Sequence, residues 1–399
     1  MNQSELLSDL LRTPTAPAVP GRPVDPDKDF TRQIEVSGDA AEVTVRGPEG
    51  IDPESTAADV LRAHHLDPAE WEITGFRSSE WTMPNGEPGV SARFSFGRRK
   101  VPAILVRPNV DELLRVFEEH TPAPRSAEPE DGEWTYVVAL GDMQFGKVDG
   151  DGYEGTLHRA MDCIDKAADL LSQYRWRYKI EHVHLAWLGD HIEGFVSQGG
   201  SNVARTQLTL TEQIRLTRRL MTYAILRLAP LVARLTVVAV PGNHGEAVRV
   251  LGKGVTRYDD SHDTDALISV GEALALAGEE YAHVEVYVPD TDELTVVVEC
   301  SGTVVAHAHG HQWRPGKHFE WWRGQAFDKT SAMHTADLLL AGHLHHEFID
   351  TDGPRTFIQV PAMESESTWW RHLKGTRGAP GLLVMVTKDG AVPVKEVVR

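Results

Sequence analysis

The chain has 399 residues, of which 41% are hydrophobic and 25% are charged, a composition typical of globular proteins. Acidic residues outnumber basic residues by 59 to 40, and the resulting net charge of −19 argues against a protein that coats nucleic acid through a broad basic face. The 2 cysteines, Cys163 and Cys300, are too few for a disulfide framework or a thiolate metal cluster. No apolar run approaches the roughly 20 residues of a membrane helix, and residues 1–20 show no secretory signal. We therefore expect a cytoplasmic protein without a membrane partner.

The first third of the chain predicts a tail, a small module and a linker. Residues 1–29 are Pro-rich and predict a flexible tail. Residues 30–106 predict a small α+β module, to which the sequence assigns no role. Its predicted elements are strands at 34–36, 41–45, 71–76 and 90–96 and a helix at 56–64. Residues 107–132 predict one helix, at 110–120, followed by an acidic, Pro-rich linker.

Residues 133–399 predict a second domain, in which strands and helices first alternate and strands then dominate. The predicted strands are 135–140, 182–188, 235–240, 284–288, 294–299, 304–308, 337–340, 357–360 and 382–386, and the predicted helices are 155–178, 208–228 and 263–277. An α/β half followed by a β-rich half predicts two sheets packed face to face with helices outside them.

Polar side chains that bind metal ions follow the ends of several predicted strands in this domain. They are Asp142, Gln144, Asp190, Asn243, His244, His309, His343 and His345. Each motif alone is an ordinary loop, but their shared position at strand ends is hard to obtain by accident. Carboxylate, amide and imidazole ligands suit Mn²⁺, Fe or Zn²⁺. The set is too large for one tetrahedral zinc ion, but it fits two metal ions that share a carboxylate.

The ordered set resembles the calcineurin-like metallophosphoesterases. Its pieces are Asp142-x-Gln144, Gly189-Asp190-x-x-Glu193, Gly242-Asn243-His244, His309-Gly310 and Gly342-His343-x-His345. The resemblance implies an αββα sandwich of two sheets with a site for two divalent ions, Mn²⁺ first and Fe or Zn²⁺ as alternatives. By motif position, the first ion would be held by Asp142, Gln144 and His345, and the second by Asn243, His309 and His343. Asp190 would bridge the two ions.

The sequence departs from the family pattern at two positions. Gln144 stands where the family usually has His, and an amide oxygen is a weaker ligand than imidazole. Glu193 stands where the family often has Asp. The resemblance makes His244 a general acid that protonates the leaving oxygen, with Glu193 positioning it. The alternative is that His244 only hydrogen-bonds the substrate phosphate.

The first of these motifs also resembles a phosphate-binding P-loop. Residues 141–147, from Gly141 to Lys147, fit its first seven positions. Val148, however, has no hydroxyl for Mg²⁺, and Asp142 would point a carboxylate at the phosphate. We therefore reject the P-loop, which leaves Lys147 without an assigned role.

Two segments beside the metal motifs combine aromatic and basic residues and bear on the substrate. Their candidate substrate-binding residues are Trp313, Arg314, Lys317, Arg323 and Arg371. In so acidic a chain they favour a surface for phosphates and stacked bases, although the tryptophans could equally fill the core beneath long loops. The first hypothesis is a phosphodiesterase acting on nucleic acid, with DNA as a candidate substrate. The alternatives are a phosphatase for phosphoproteins or small esters and a binding protein with an inactive site.

Overall fold

The fold was analysed in a computed structural model of the chain. The structure describes residues 32–37, 40–47, 61–62, 65–67, 70–82, 88–98, 110–118, 133–249, 256–368, 371–372, 375 and 378–399. The predicted tail, the predicted linker at 121–132 and most of the predicted helix at 56–64 lie outside the described residues. The chain divides into two compact units, residues 1–101 and 102–399. Within the described residues, no helix combines the length and the apolar character that a membrane span requires.

The first unit contains a four-stranded antiparallel sheet in the order β1-β2-β4-β3. Its strands are β1 (Arg32–Ser37), β2 (Ala40–Gly47), β3 (Trp71–Thr82) and β4 (Pro88–Arg98). The alternating residues Ala92, Phe94 and Phe96 of β4 point to one face and pack there with Val43 and Trp71. The aromatic residues of the module predict its core, which is confirmed for Trp71, Phe94 and Phe96 and wrong for Phe76 and Trp81, which are exposed.

The second unit begins with helix α1 (Val110–Glu118) and contains two further sheets. The six-stranded sheet has the order β15-β14-β5-β6-β7-β8, and its strands are β5 (Trp134–Leu140), β6 (Ile180–Trp187), β7 (Arg234–Ala239), β8 (Val284–Tyr287), β14 (Leu382–Lys388) and β15 (Ala391–Val398). The five-stranded sheet has the order β12-β13-β11-β10-β9, and its strands are β9 (Val296–Cys300), β10 (Thr303–His307), β11 (Leu338–Ala341), β12 (Phe348–Asp352) and β13 (Arg355–Gln359). Strands β5 to β8 are parallel neighbours, and so are β10, β11 and β13.

Alternation along β5 shows how the sheets are held. Tyr136 and Val138 pack against helices, whereas Val137 and Ala139 pack against residues of the five-stranded sheet. Both faces of β5 are therefore buried, which is why its sequence is a continuous apolar run. The helices on the first face are α2 (Gly152–Tyr174), α3 (Leu210–Leu228) and α4 (His262–Ala277). Helix α5 (His318–Ala326) packs through Trp322 against the other face of the five-stranded sheet.

The predicted mixed α/β class is confirmed, but among the described strands and α-helices α5, β12 and β15 have no counterpart in the predicted elements. Helix α5 was read as a loop because aromatic and basic residues crowd its sequence. Strand β12 begins directly after the metal motif at His343 and His345, and no strand is predicted there. Strand β15 was missed because it contains Pro393; it lies at the edge of its sheet, where a proline costs no interior hydrogen bond.

Candidate metal centre

The candidate site lies where parallel strands of both sheets end. Strands β5, β6 and β7 lead into the loops that carry Asp142, Asp190 and Asn243. In the other sheet, the parallel strands β10 and β11 lead into the loops of His309 and His343. The loops are hydrogen-bonded to each other, since the amide of Asp142 donates to the carbonyl of Gly189 at 3.0 Å. Because parallel strands end at the same edge, the sheets bring the predicted side chains together.

The backbone at these positions is unusual. Positive φ angles occur at Asp142 (54°), Gln144 (43°), Asp190 (52°), His343 (75°) and His345 (57°). Residues with a Cβ rarely adopt this conformation, and each instance costs about 1–3 kcal/mol. Most of the positive-φ non-glycine residues in the described part of the chain are these candidate ligands. Strain concentrated on one set of side chains indicates that the fold is fixing their direction.

Three predicted residues form a compact ligand group. Asp190, His309 and His343 each offer one ligand atom, and these atoms all lie within 4.8 Å of one another. Nε2 of His309 lies 3.0 Å from the Asp190 carboxylate. Nδ1 of His309 lies 2.7 Å from the carbonyl of Leu188, which fixes Nδ1 as the donor and leaves Nε2 for a metal ion.

Buried atoms without hydrogen-bond partners point to what belongs in this group. Among the described residues, Oδ1 of Asn243 and Nε2 of His309 are buried and make no well-aligned hydrogen bond, although Nε2 of His309 faces the Asp190 carboxylate. Oδ1 of Asp142 is buried in the same way at the neighbouring position, where it faces His345. Burial lowers the pKa of His309, but the charge of Asp190 and its close contact with Nε2 raise it to about 9. A divalent cation bound by Asn243 and His309 would satisfy both atoms and displace that proton. The donor set therefore fits a metal ion.

The residues predicted for the first ion have a different environment. Nε2 of His345 lies 3.2 Å from Oδ1 of Asp142, and Nδ1 of His345 donates to Glu364 at 2.8 Å. Gln144 is engaged elsewhere, because its Oε1 accepts a hydrogen bond of 2.8 Å from Nζ of Lys147. Glu364 follows β13 just as the other motifs follow their strands, so its position after a strand end could have revealed it.

His244 and Glu193 form a buried pair beside the ligand group. Nδ1 of His244 lies 3.3 Å from the Glu193 carboxylate, 3.0 Å from the Glu193 carbonyl and 3.1 Å from Oγ of Ser197. Burial lowers the pKa of His244, but Asp190 and Glu193 raise it to about 9. With Nδ1 fixed as the donor to Glu193, Nε2 is the atom left to meet a substrate.

Comparisons with known proteins found similarity to solved structures only, at low identity. No protein family matches the chain through its sequence profile, and no curated protein matches it. Solved structures that match include an archaeal phosphodiesterase, with 13% identity over 66% of this chain and 99% of that chain and a TM-score of 0.30. Vacuolar protein sorting 29 from Cryptosporidium parvum matches with 12% identity over 66% of this chain and 97% of that chain, with a TM-score of 0.28. A predicted phosphoesterase from Streptococcus pneumoniae matches with 11% identity over 67% of this chain and 98% of that chain, with a TM-score of 0.23.

The chain resembles the calcineurin-like metallophosphoesterases. At identities this low, the matched structures say nothing about activity, so function has to be inferred from the side chains of this chain. The metallophosphoesterase motifs all lie in the second unit.

Asp263 supports the loops that carry Asp190 and Asn243, and the sequence did not predict it as a site residue. The sequence predicts only that Asp263 or Thr264 caps α4, which is wrong, because the N-cap residue is Ser261. Its buried carboxylate accepts the amides of Asp190 (3.0 Å), His191 (2.9 Å) and Gly242 (2.9 Å). One carboxylate therefore ties together two loops that carry candidate ligands. No local pattern signals this role, because the partners are 21 to 73 residues away.

The aromatic and basic residues predicted to bind substrate are mostly engaged within the protein. Trp313 packs against Trp321, with ring centroids 4.6 Å apart, and contributes to the core under α5. Lys317 pairs with Glu320, Arg323 with Asp352, and Arg371 with Glu366. Arg314 is exposed.

A cavity of about 460 Å³ adjoins the metallophosphoesterase motifs on a side that the sequence did not single out. Gly242 and His311, next to two of the metal motifs, form one wall. Arg249, Arg257 and Tyr258 line the rest. Arg249 is paired with Glu246 at 2.5 Å, so the cavity offers both an aromatic face and fixed charges of both signs.

Proposed function

We propose that the chain is a metal-dependent phosphoric ester hydrolase that acts on phosphodiesters. The observation that carries this proposal is the buried group of Asp190, His309 and His343, with unpaired ligand atoms beside it. The stacking of two sheets between helices is what an αββα sandwich of the metallophosphoesterase type requires. Asn243 completes the ligands of this position, and Asp142, Gln144 and His345 are the ligands proposed for a neighbouring one.

Each part of this site has a distinct role. A divalent ion held by these residues would neutralise the charge of a phosphoryl group and activate water, with Mn²⁺ as the ion to test first and Fe or Zn²⁺ next. His244 would hold a proton at Nε2 and deliver it to the oxygen that leaves phosphorus. Glu193 keeps His244 in this orientation through Nδ1.

The proton donor suits esters of alkyl alcohols, and the cavity beside the site favours diesters among them. An alkoxide is a poor leaving group, and a positioned acid helps such a group most. The cavity next to Gly242 has room for a nucleoside-sized substituent, and Tyr258, which is 55% exposed, offers a ring for stacking. A nucleic-acid strand or a smaller nucleotide diester is the substrate class that this combination favours.

A phosphomonoesterase is the second candidate. Three of the cations that were predicted to hold a nucleic-acid backbone are paired with acids, at Lys317, Arg323 and Arg371. Each pair has no net charge, so these residues attract a polyanionic strand less than three free cations would, and this favours a small phosphate ester.

The test measures turnover and metal content on the same protein. The full chain with Mn²⁺ is incubated with labelled single- and double-stranded DNA, with p-nitrophenyl phosphate and with its bis-ester. We expect cleavage of the bis-ester. Intact DNA and bis-ester together with a cleaved monoester would select the phosphomonoesterase. No turnover of any ester with Mn²⁺, Fe²⁺ or Zn²⁺ would refute the enzyme and favour a binding protein.

Two variants test the assignment of roles. Asp190→Asn should lose bound metal, because it removes the charge shared by the ligand group. His244→Ala should lose turnover of substrates with an alkoxide leaving group, such as DNA, and keep its metal content in elemental analysis. A lower metal content in His244→Ala would show that His244 is a ligand and overturn its role as proton donor.

A further inference from the structure

Lys147 is a nearly buried cation in the environment of the first-ion residues. Its Nζ donates to Oε1 of Gln144 at 2.8 Å and lies 3.4 Å from Oε1 of Glu364. The side chain of Lys147 is 13% exposed and that of Glu364 is 5% exposed. This lysine is the one that completed the false P-loop pattern, and no step of the proposed reaction uses it.

The lysine is part of a continuous buried network. The Glu364 oxygen next to Nζ also accepts the hydrogen bond of 2.8 Å from Nδ1 of His345. Nε2 of His345 in turn lies 3.2 Å from Asp142. The network therefore runs from Gln144 through Lys147, Glu364 and His345 to Asp142, and it reaches all three residues predicted to hold the first ion.

The backbone holds the lysine in place. The amide of Lys147 donates to the carbonyl of Gln144 at 3.1 Å, and Lys147 forms a bridge with Thr206. Between the two residues, Gly146 has a φ of 108°, and a side chain there would collide with Gln213 and Thr206. Because this turn fixes the backbone of Lys147, its side chain can reach Oε1 of Gln144 with little loss of conformational freedom.

An ammonium in this place opposes a metal ion in two ways. It occupies a lone pair of Gln144, which is already a neutral and weak ligand. It also places a positive charge next to any cation that shares this oxygen, and like charges repel strongly where water is excluded. In the described part of the chain, no lysine or arginine is hydrogen-bonded to Asp190, Asn243, His309 or His343.

We propose that the chain binds one divalent ion tightly, at Asp190, Asn243, His309 and His343, and that the ammonium of Lys147 stands in for the other ion, the first ion of the family pattern, at the residues Asp142, Gln144 and His345. The proposal rests on the proposed function, since it assumes that the ligand group of Asp190 holds a metal ion. It changes the expectation of two bound ions that the family resemblance gave, and it goes beyond the weaker first-ion ligand that Gln144 alone implies.

Metal binding can test this directly. The full chain is stripped with a chelator and titrated with Mn²⁺, and free Mn²⁺ is measured from its electron paramagnetic resonance signal. We expect one tight site in the wild type and a second at least about tenfold weaker. Lys147→Met removes the positive charge beside Gln144 and frees its Oε1, so it should tighten the weak site by about tenfold or more and leave the tight site unchanged. Lys147→Arg keeps the charge and should bind as the wild type does.

Controls separate this proposal from folding defects and from the function itself. Lys388→Met removes a lysine that also pairs with a glutamate, Glu133 at 3.2 Å, and should leave both sites unchanged. Gln144→His gives a second route to the same result, because imidazole restores the stronger ligand. Two sites of equal affinity in the wild type, or an unchanged weak site in both Lys147→Met and Gln144→His, would overturn the proposal. One tight site without turnover of any ester would refute the proposed function and leave this proposal standing.

Discussion

A carboxylate oxygen of Glu193 lies 3.3 Å from Nδ1 of His244, and both side chains are buried. Motif position alone predicted that these two residues act together, with His244 as the proton donor and Glu193 as the residue that positions it. If His244 delivers a proton, replacing it should matter most when the leaving group needs one. We expect His244→Ala to lower kcat by about 10²- to 10⁴-fold for an alkyl phosphodiester and far less for the p-nitrophenyl bis-ester. Steady-state kinetics on the two substrates measures the difference.

Glu193→Gln should produce a milder form of the same pattern, because the amide keeps the contact and loses the charge. Glu181→Gln is the matched control, since Glu181 pairs with Arg175 at 3.3 Å outside the metal motifs. Equal losses on both substrates would indicate that the pair holds the phosphate and does not deliver a proton.

The part of the site that could be predicted from the sequence is the part carried by strand ends. Asp142, Asp190 and His309 follow apolar runs, and parallel pairing alone brings such residues to one edge. Lys147 and Glu364 could not be paired in advance, because their contact spans more than 200 residues and depends on how the two sheets are stacked. The strands of the six-stranded sheet could be predicted from the same apolar runs. Strand β15 could not, because it contains Pro393, which a strand tolerates there only at the edge of a sheet.

The carboxylate of Asp263 should be needed for metal binding although it is not a ligand. Asp263→Asn keeps the size of the side chain and replaces an acceptor oxygen by a donor that faces backbone amides. We expect a loss of about 1–3 kcal/mol in the free energy of unfolding and a roughly 10- to 100-fold weaker affinity for Mn²⁺. Asp265→Asn, in the same first turn of α4, breaks only an exposed pair with Arg218 and should change neither value. Wild-type Mn²⁺ affinity in Asp263→Asn would contradict the positioning role.

Gly242 should tolerate no side chain. A Cβ added there would collide with Oδ1 and the amide of Asp190. Gly242→Ala therefore has to push the Asp190 loop away, and we expect it to lose bound metal and turnover together. Gly324→Ala is the control, since a Cβ at that position of α5 meets no atom within 4 Å. It should keep full activity and be stabilised by up to about 1 kcal/mol. Full metal content in Gly242→Ala would show that the loops are not packed as closely as described.

Buried histidines between the sheets should make stability fall in mild acid. His182 is hydrogen-bonded through Nδ1 to Thr135 (2.9 Å) and through Nε2 to Thr236 (2.8 Å). Burial and then the charge of Arg234 lower its pKa from 6.5 to about 4. Its neighbour His184, bonded to the same threonine, also has a pKa well below its ordinary value because of burial.

The direction of the effect follows from these shifts. His182 is protonated below about pH 6.5 in the unfolded chain but only below about pH 4 in the folded chain. The contribution of His182 to the free energy of unfolding is therefore complete above pH 6.5 and is lost as the pH falls from 6.5 to 4. Each proton taken up in this way on unfolding lowers the free energy of unfolding by about 1.4 kcal/mol per unit of falling pH. Urea unfolding of the chelator-treated chain between pH 7 and 4.5 should show this slope. It should be shallower in His182→Gln and unchanged in His158→Gln, which alters an exposed histidine. An equal slope in the wild type and in His182→Gln would place the acid sensitivity elsewhere in the fold.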